Sequence, residues 1–206
     1  MKVLTKDILP FQEDEFFSPI RSKVDYAKIL MSASRNLLLE YELGALVATS
    51  KMKLVIDRMS RLFFFGEAKY FSISFPFSVQ INDNKITSIA SYSGKEVDFR
   101  SISSVVSILE NEQFLINTSP IDFYVESSQI ESIGLLLLEE IFQFEPGYVR
   151  YDNDPENANG KLHPEFHIDV NYSNYGTYKL GLSKNISIEY LENLINLNTD
   201  CSFITD

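Results

Sequence analysis

Hydrophobic positions along this chain change period several times, and each change marks a predicted element. Ser22 with Asp25 three residues on has the form of a helix N-cap. Ala27, Leu30, Met31, Leu37, Leu38 and Tyr41 then recur at helical spacing. A second helical stretch is predicted from Leu43 to Leu62 on Leu46, Val47, Leu54, Val55, Met59 and Leu62. Read as one helix, it brings Lys51, Arg58 and Arg61 onto one side. From Tyr70 to Ile81 the period drops to two, with Phe71, Ile73, Phe75, Phe77, Val79 and Ile81 on one face, which predicts a strand with an edge or bulge at Pro76. Asn82-Asp83-Asn84 predicts a turn into a second strand, Ile86–Tyr92. A short helix is expected over Ser101–Leu109 and a short strand over Asp122–Glu126. Ser128-Gln-Ile-Glu131 reads as a capping box opening a helix that runs to about Phe142, and Pro146-Gly147 stops any continuation.

The last third predicts strands at Tyr148–Asp152, Phe166–Tyr172 and Thr177–Leu182. A polar loop at 153–165 separates the first two, a turn at Ser173-Asn-Tyr-Gly176 the second and third, and Ser187 caps a terminal helix Ile188–Leu197. Short hairpin-linked strands with clustered helices give an α+β class: a mainly antiparallel sheet with N-terminal helices, a middle helix and a C-terminal helix. The 206 residues fit a single domain, 1–206, divided into an irregular lead-in (1–20), a helical region (22–65) and an α+β body (70–206).

Composition narrows the functional classes. A hydrophobic share of 45% with 23% charged residues belongs to a folded globular chain. The longest apolar runs, Leu62–Phe65 and Leu135–Leu138, fall far short of the roughly 20 residues that span a bilayer, and no membrane partner is expected. The N-terminus lacks the apolar segment of a signal peptide, and the single Cys201 excludes an internal disulfide framework, so a cytoplasmic location is expected. The net charge of −11 is uneven: residues 1–100 hold 14 Lys and Arg against 12 Asp and Glu, or +2, while 101–206 hold 4 against 17, or −13. General binding to duplex DNA through clustered cations is therefore disfavoured, and docking of the acidic half on a basic protein is compatible.

The candidate chemistry lies in the tract 150–171, which holds both histidines of the chain. Strand alternation places Phe166, Ile168, Val170 and Tyr172 toward a core and His167, Asp169 and Asn171 on the other face. Tyr148, Arg150 and Asp152 from the preceding strand and Lys179 from the following one fall on that polar face if the strands are neighbours. His167 is then a candidate general acid or base, oriented by Asp169 or Asp152, with His163 nearby in the loop. Arg150 and Lys179 would meet developing charge on a phosphate. Asn171 and Lys179, with the Lys51, Arg58 and Arg61 stripe, are candidate ligand-binding residues. A polar outer face and a solvated helix face account for the same residues without function. The His-x-x-x-His spacing brings two imidazoles to one side only on a helix, and Pro164 with the surrounding alternation argues for strand. Metal and cofactor are accordingly assigned as none, the gathering of Asp152, Asp154, His163, His167 and Asp169 around an ion standing as an alternative. Phosphate-loop, dinucleotide and nucleophile-elbow motifs do not occur.

Tyr148-Val-Arg-Tyr-Asp-Asn-Asp-Pro155 followed by His163-Pro-Glu-Phe-His167, a hairpin and a short helix resembles an uncharacterised bacterial family catalogued as domain of unknown function 2290, over about residues 146–197. A similar element occurs in small toxins of bacterial toxin–antitoxin pairs. This chain departs from it with Asp169, where relatives often place a further histidine, and with a long Asn-rich spacer at 156–162. The resemblance implies a bacterial protein of accessory or mobile gene neighbourhoods, of antiviral or toxin-related kind, with no established reaction to inherit. Separately, a protein partner from the same operon is expected, and the polar strand face suggests RNA or a nucleotide as ligand. The expected functions are a polar His/Asp/Arg pocket that processes or senses such a ligand, or a non-catalytic adaptor docking a basic protein through the acidic C-terminal half. Whether the chain is an enzyme is left open between them.

Overall fold

The computed structural model describes residues 1–40, 47–124, 129–172 and 176–203, with 124 and 129–131 described by their backbone alone. In chain order the elements are β1 (Lys2–Ile8), α1 (Glu13–Phe17), α2 (Lys23–Leu38), β2 (Ser50–Ile56), β3 (Ser60–Phe65), β4 (Lys69–Ser74), β5 (Ser78–Asn82), β6 (Lys85–Ala90), α3 (Phe99–Leu109), α4 (Glu112–Ile116), α5 (Pro120–Tyr124), α6 (Gln129–Gln143), β7 (Val149–Asn153), β8 (Phe166–Val170), β9 (Tyr178–Gly181) and α7 (Ile188–Ile195). The class is α+β with a mainly antiparallel sheet. No helix among the described residues is long and apolar enough to cross a membrane. The chain divides into two compact units: unit 1 comprises Met1–Glu13, Val47–Ser74 and Gly147–Asp206, and unit 2 comprises Asp14–Leu46 and Phe75–Pro146.

Unit 1 is a seven-stranded sheet of order β1-β2-β3-β4-β7-β8-β9, every pair antiparallel. One face is closed by α7, whose buried Leu191 packs with Tyr151 and Ile168. Ile188 and Ile195 reach a second cluster of Val55, Met59, Phe63 and Phe65. Burying these side chains drives the docking, at about 1.5–3 kcal/mol for each large one. The half-buried Lys53–Glu192 ion pair, at 2.8 Å, links β2 to the same helix.

Unit 2 packs α2 and the β5–β6 hairpin with α3 to α6. Helix α2 begins as its sequence predicts: Ser22 Oγ accepts from the Asp25 N–H at 3.2 Å, and Asp25 Oδ2 accepts from the Ser22 N–H at 3.0 Å. The hairpin turns on Asp83 and Asn84, both at positive φ, the geometry of a two-residue primed turn. Helices α3 and α6 approach closely at Gly134, whose N–H donates to Ser104 Oγ at 3.1 Å; an added Cβ there would sit 2.8 Å from the Ser104 backbone.

Several predicted elements are replaced. Lys2–Ile8, expected to be irregular, is an edge strand burying Leu4 and Ile8; Lys2, Lys6 and Asp7 obscure its alternation. The predicted helix over 43–62 is a β-hairpin from Ser50 onward, where Met52 and Leu54 are buried between the partly or fully exposed Lys51 and Lys53. Its start, 43–46, lies outside the described residues. The predicted strand Tyr70–Ile81 is two strands in different sheets, β4 in unit 1 and β5 in unit 2. The break falls at Phe75-Pro76-Phe77, where Pro76 has no N–H to give a ladder. Asp122–Tyr124, expected in a strand, lies in α5, started by Ser119 Oγ accepting from the Asp122 N–H at 3.3 Å. The rest of that strand (125–126), Ser128 and the Glu131 side chain of the predicted capping box, and Ser173–Tyr175 of the predicted turn are outside the described residues.

Candidate functional site

Strand register in unit 1 assembles two ranks of side chains across one sheet face. Lys69 of β4 lies opposite Asp152 of β7, which lies opposite His167 of β8, which lies opposite Gly181 of β9. The adjacent rank runs Phe71, Arg150, Asp169, Lys179. Paired residues in antiparallel strands share a face, so the polar groups converge. Arg150 is the hub. Its Nε donates to Asp152 Oδ2 at 2.6 Å, its Nη2 to Asp169 Oδ2 at 2.5 Å, and its Nη1 to the Tyr148 hydroxyl at 3.3 Å. Holding both carboxylates with one planar fork is a geometry that suits arginine and not lysine.

This face is closed. The expectation of a solvent-facing polar face is overturned, because His167 and Asp169 are each only 1% exposed and Tyr148, expected outward, is buried as well. The loop 154–165 folds back over it. Asp154 N–H donates to the Glu165 carbonyl at 2.9 Å, and a tight turn at Asn159–His163 uses Gly160 at φ 51°. Pro164 then sits over β9 at Gly181, where an added Cβ would lie 2.9 Å from the Pro164 ring. His167 Nδ1 donates to the Pro164 carbonyl at 2.9 Å, which orients the ring and leaves Nε2 3.5 Å from Asp152 Oδ2. The His163 ring stands edge-on to His167 with centroids 4.6 Å apart.

Burial and charge set the electrostatics. Burial disfavours the Arg150 cation, but the Tyr148 phenol and the two carboxylates outweigh it and hold its pKa above the ordinary arginine value. Burial pushes the Tyr148 phenol up to about 12. Burial and the neighbouring Arg150 charge hold the Lys69 ammonium down to about 8, with Asp152 pulling the other way. Lys69 also lies over the Phe71 ring at 5.7 Å.

Of the residues read from sequence, the fold brings Arg150, Asp152, His163, His167 and Asp169 together. Lys179 faces Asp169 across the β8–β9 ladder but is exposed. Asn171 leaves the strand at φ 64° and points to solvent, its N–H donating to the Tyr148 carbonyl at 2.9 Å. The helical stripe does not exist: Lys51 is exposed on β2, Arg58 is exposed in the β2–β3 turn, and Arg61 donates to Ser72 Oγ at 2.9 Å and to the Gly147 carbonyl. Lys69 and Gly181 were missed. Only the pairing of β4 with β7 brings Lys69 to the cluster, and no local pattern signals that pairing. The chain matches no protein-family model, no curated protein and no solved structure.

Charge also redistributes when the chain is sorted by unit. Unit 2 holds 7 Lys and Arg against 16 Asp and Glu, or −9, while unit 1 holds 11 against 13, or −2. The acidity concentrated in the C-terminal half of the sequence thus belongs mainly to unit 2. There Leu115, Ile116 (88% exposed) and Ile121 (72% exposed) are exposed, as are Glu110, Glu112 and Asp122 close by in sequence.

Proposed function

We propose that this chain is a non-catalytic adaptor of a bacterial defence or genetic-conflict system, acting in the cytoplasm and docking a basic protein partner through unit 2. The observation that carries the reading is the acidity of unit 2 together with the exposed apolar residues of α4 and α5. Exposed apolar residues in a strongly acidic unit favour a partner with an apolar anchor and basic surroundings. The cluster in unit 1 fits the same reading as an internal polar lock: its arginine already engages both carboxylates, and its histidine is out of contact with water. The resemblance of 146–197 to an uncharacterised bacterial family supports the genetic-conflict setting.

The test is affinity purification of the full chain with its operon neighbours at low and high salt. A basic partner retained at low salt, released by salt and lost from Glu110→Lys/Glu112→Lys/Asp122→Lys supports the reading. A chain that stays alone at low salt, or a partner retained by the charge-reversed variant, overturns it.

A second reading has one observation in its favour, the Lys69 amine held at about 8 beside Arg150, which is a basic group next to a cation. In it, RNA or a nucleotide reaches the cluster after the 154–165 loop moves, and His167 acts as acid or base. Unchanged processing or binding of such ligands by Lys69→Met and His167→Gln counts against it.

A further inference from the structure

We propose that Asp152, His167 and Asp169 form a binding site for one divalent transition-metal ion of the zinc or manganese class, enclosed within unit 1. One ligand atom from each of the three residues can be chosen so that all lie within 4.8 Å of one another. The arrangement of these side chains suits a cation. His167 Nε2 lies 3.5 Å from Asp152 Oδ2, on the side of the ring away from the Pro164 carbonyl. Asp169 Oδ1 accepts no hydrogen bond among the described residues, although the side chain is only 2% exposed. A carboxylate oxygen out of water without a donor is costly, and a bound cation relieves that cost.

The surroundings have the form of a metal site's supporting groups. The Pro164 carbonyl orients His167, and Arg150 takes Oδ2 of both aspartates, leaving an oxygen of each for an ion. Metal–ligand bonds of about 2.0–2.2 Å set ligand separations of about 3–3.5 Å, within a modest side-chain rotation of the present spacing. One nitrogen and two carboxylate donors suit zinc or manganese better than calcium, which takes oxygen ligands alone. Two carboxylates against one guanidinium leave one net negative charge for the ion, and the Lys69 ammonium across β4 opposes it. Burial of the ligands gives the ion a structural role. The site does not depend on partner docking by unit 2.

The test uses the full chain, stripped with a chelator and titrated with Zn2+, Mn2+ and Co2+ by calorimetry, with the visible spectrum followed for Co2+. One equivalent bound, and affinity lowered about 100-fold or more in His167→Gln and Asp169→Asn but not in the surface variant Glu156→Gln, supports the site. Binding that survives in both variants, or no binding of any of the three ions up to about 1 mM, overturns it. Should the variants not fold, 15N-imidazole NMR of the wild type with excess Zn2+ decides. A shifted His167 Nε2 without a proton supports the site, and an Nε2 carrying a proton overturns it.

Discussion

Removing the guanidinium while keeping the stem, Arg150→Met, tests the cluster most sharply. The substitution leaves Asp169, at 2% side-chain exposure, with neither of its oxygens bonded, and deprives Asp152, at 15%, of its 2.6 Å partner. Two charge-assisted hydrogen bonds are lost, at about 1.5–3 kcal/mol each. Breaking a buried ion pair from one side costs about 3–5 kcal/mol because the remaining charge is uncompensated. The two routes agree on about 4 kcal/mol, a large share of the roughly 5–15 kcal/mol that holds a typical domain. Urea unfolding at neutral pH in chelator, followed by the aromatic signal of Tyr148 and Tyr151, measures it. Adding Asp169→Asn removes the orphaned charge and should restore about 2 kcal/mol, giving a clear coupling in the double-mutant cycle. A loss below about 1 kcal/mol for Arg150→Met, or coupling below about 0.5 kcal/mol, would refute the claim that one guanidinium neutralises both carboxylates.

Other consequences are equally open to measurement. Burial raises the Glu140 carboxyl, but hydrogen bonds from Lys95 and Ser93 outweigh it and leave it at about 2, below its ordinary 4.5. Its stabilisation is therefore full above about pH 4.5 and lost as pH falls through about 2. Allowing for solvent screening, Glu140→Gln should cost about 1–2 kcal/mol at neutral pH, a difference that vanishes toward pH 2 in acid unfolding curves. Gly134→Ala should lower stability by about 2 kcal/mol by forcing α3 and α6 apart, whereas a thermal melt unchanged from wild type would contradict their close approach. Gly181→Ala should displace Pro164, cost about 1 kcal/mol and speed exchange of the His167 ring proton; exchange as slow as in the wild type would count against Pro164 as the cover.

Local signals carried well from sequence to structure. The Ser22–Asp25 cap, the Asn82–Asn84 turn, and strand periodicity at Phe166–Val170 correspond to observed elements, since each depends on interactions a few residues apart. The hairpin at 50–65 was missed because Leu54, Val55, Met59 and Leu62 also fit a helical stripe, and the competing alternation is short. The chain crossing at Phe75-Pro76-Phe77 was hidden because alternation continues through it, while the two strands belong to different sheets. The cluster's members on β7 and β8 were legible from alternation alone. Their burial was not: it depends on a twelve-residue loop returning over Gly181, a contact that no local pattern encodes.

The central claim is that His167 sits in a closed cluster, held by the Pro164 carbonyl and cut off from solvent. Proton exchange at the His167 imidazole in 15N-labelled protein tests this directly. The account predicts a resolved Nδ1–H resonance exchanging much more slowly than a solvated imidazole, with Nε2 unprotonated in the zinc-loaded protein. An Nδ1–H that exchanges as fast as free imidazole, or a ring protonated on Nε2 alone, would contradict it.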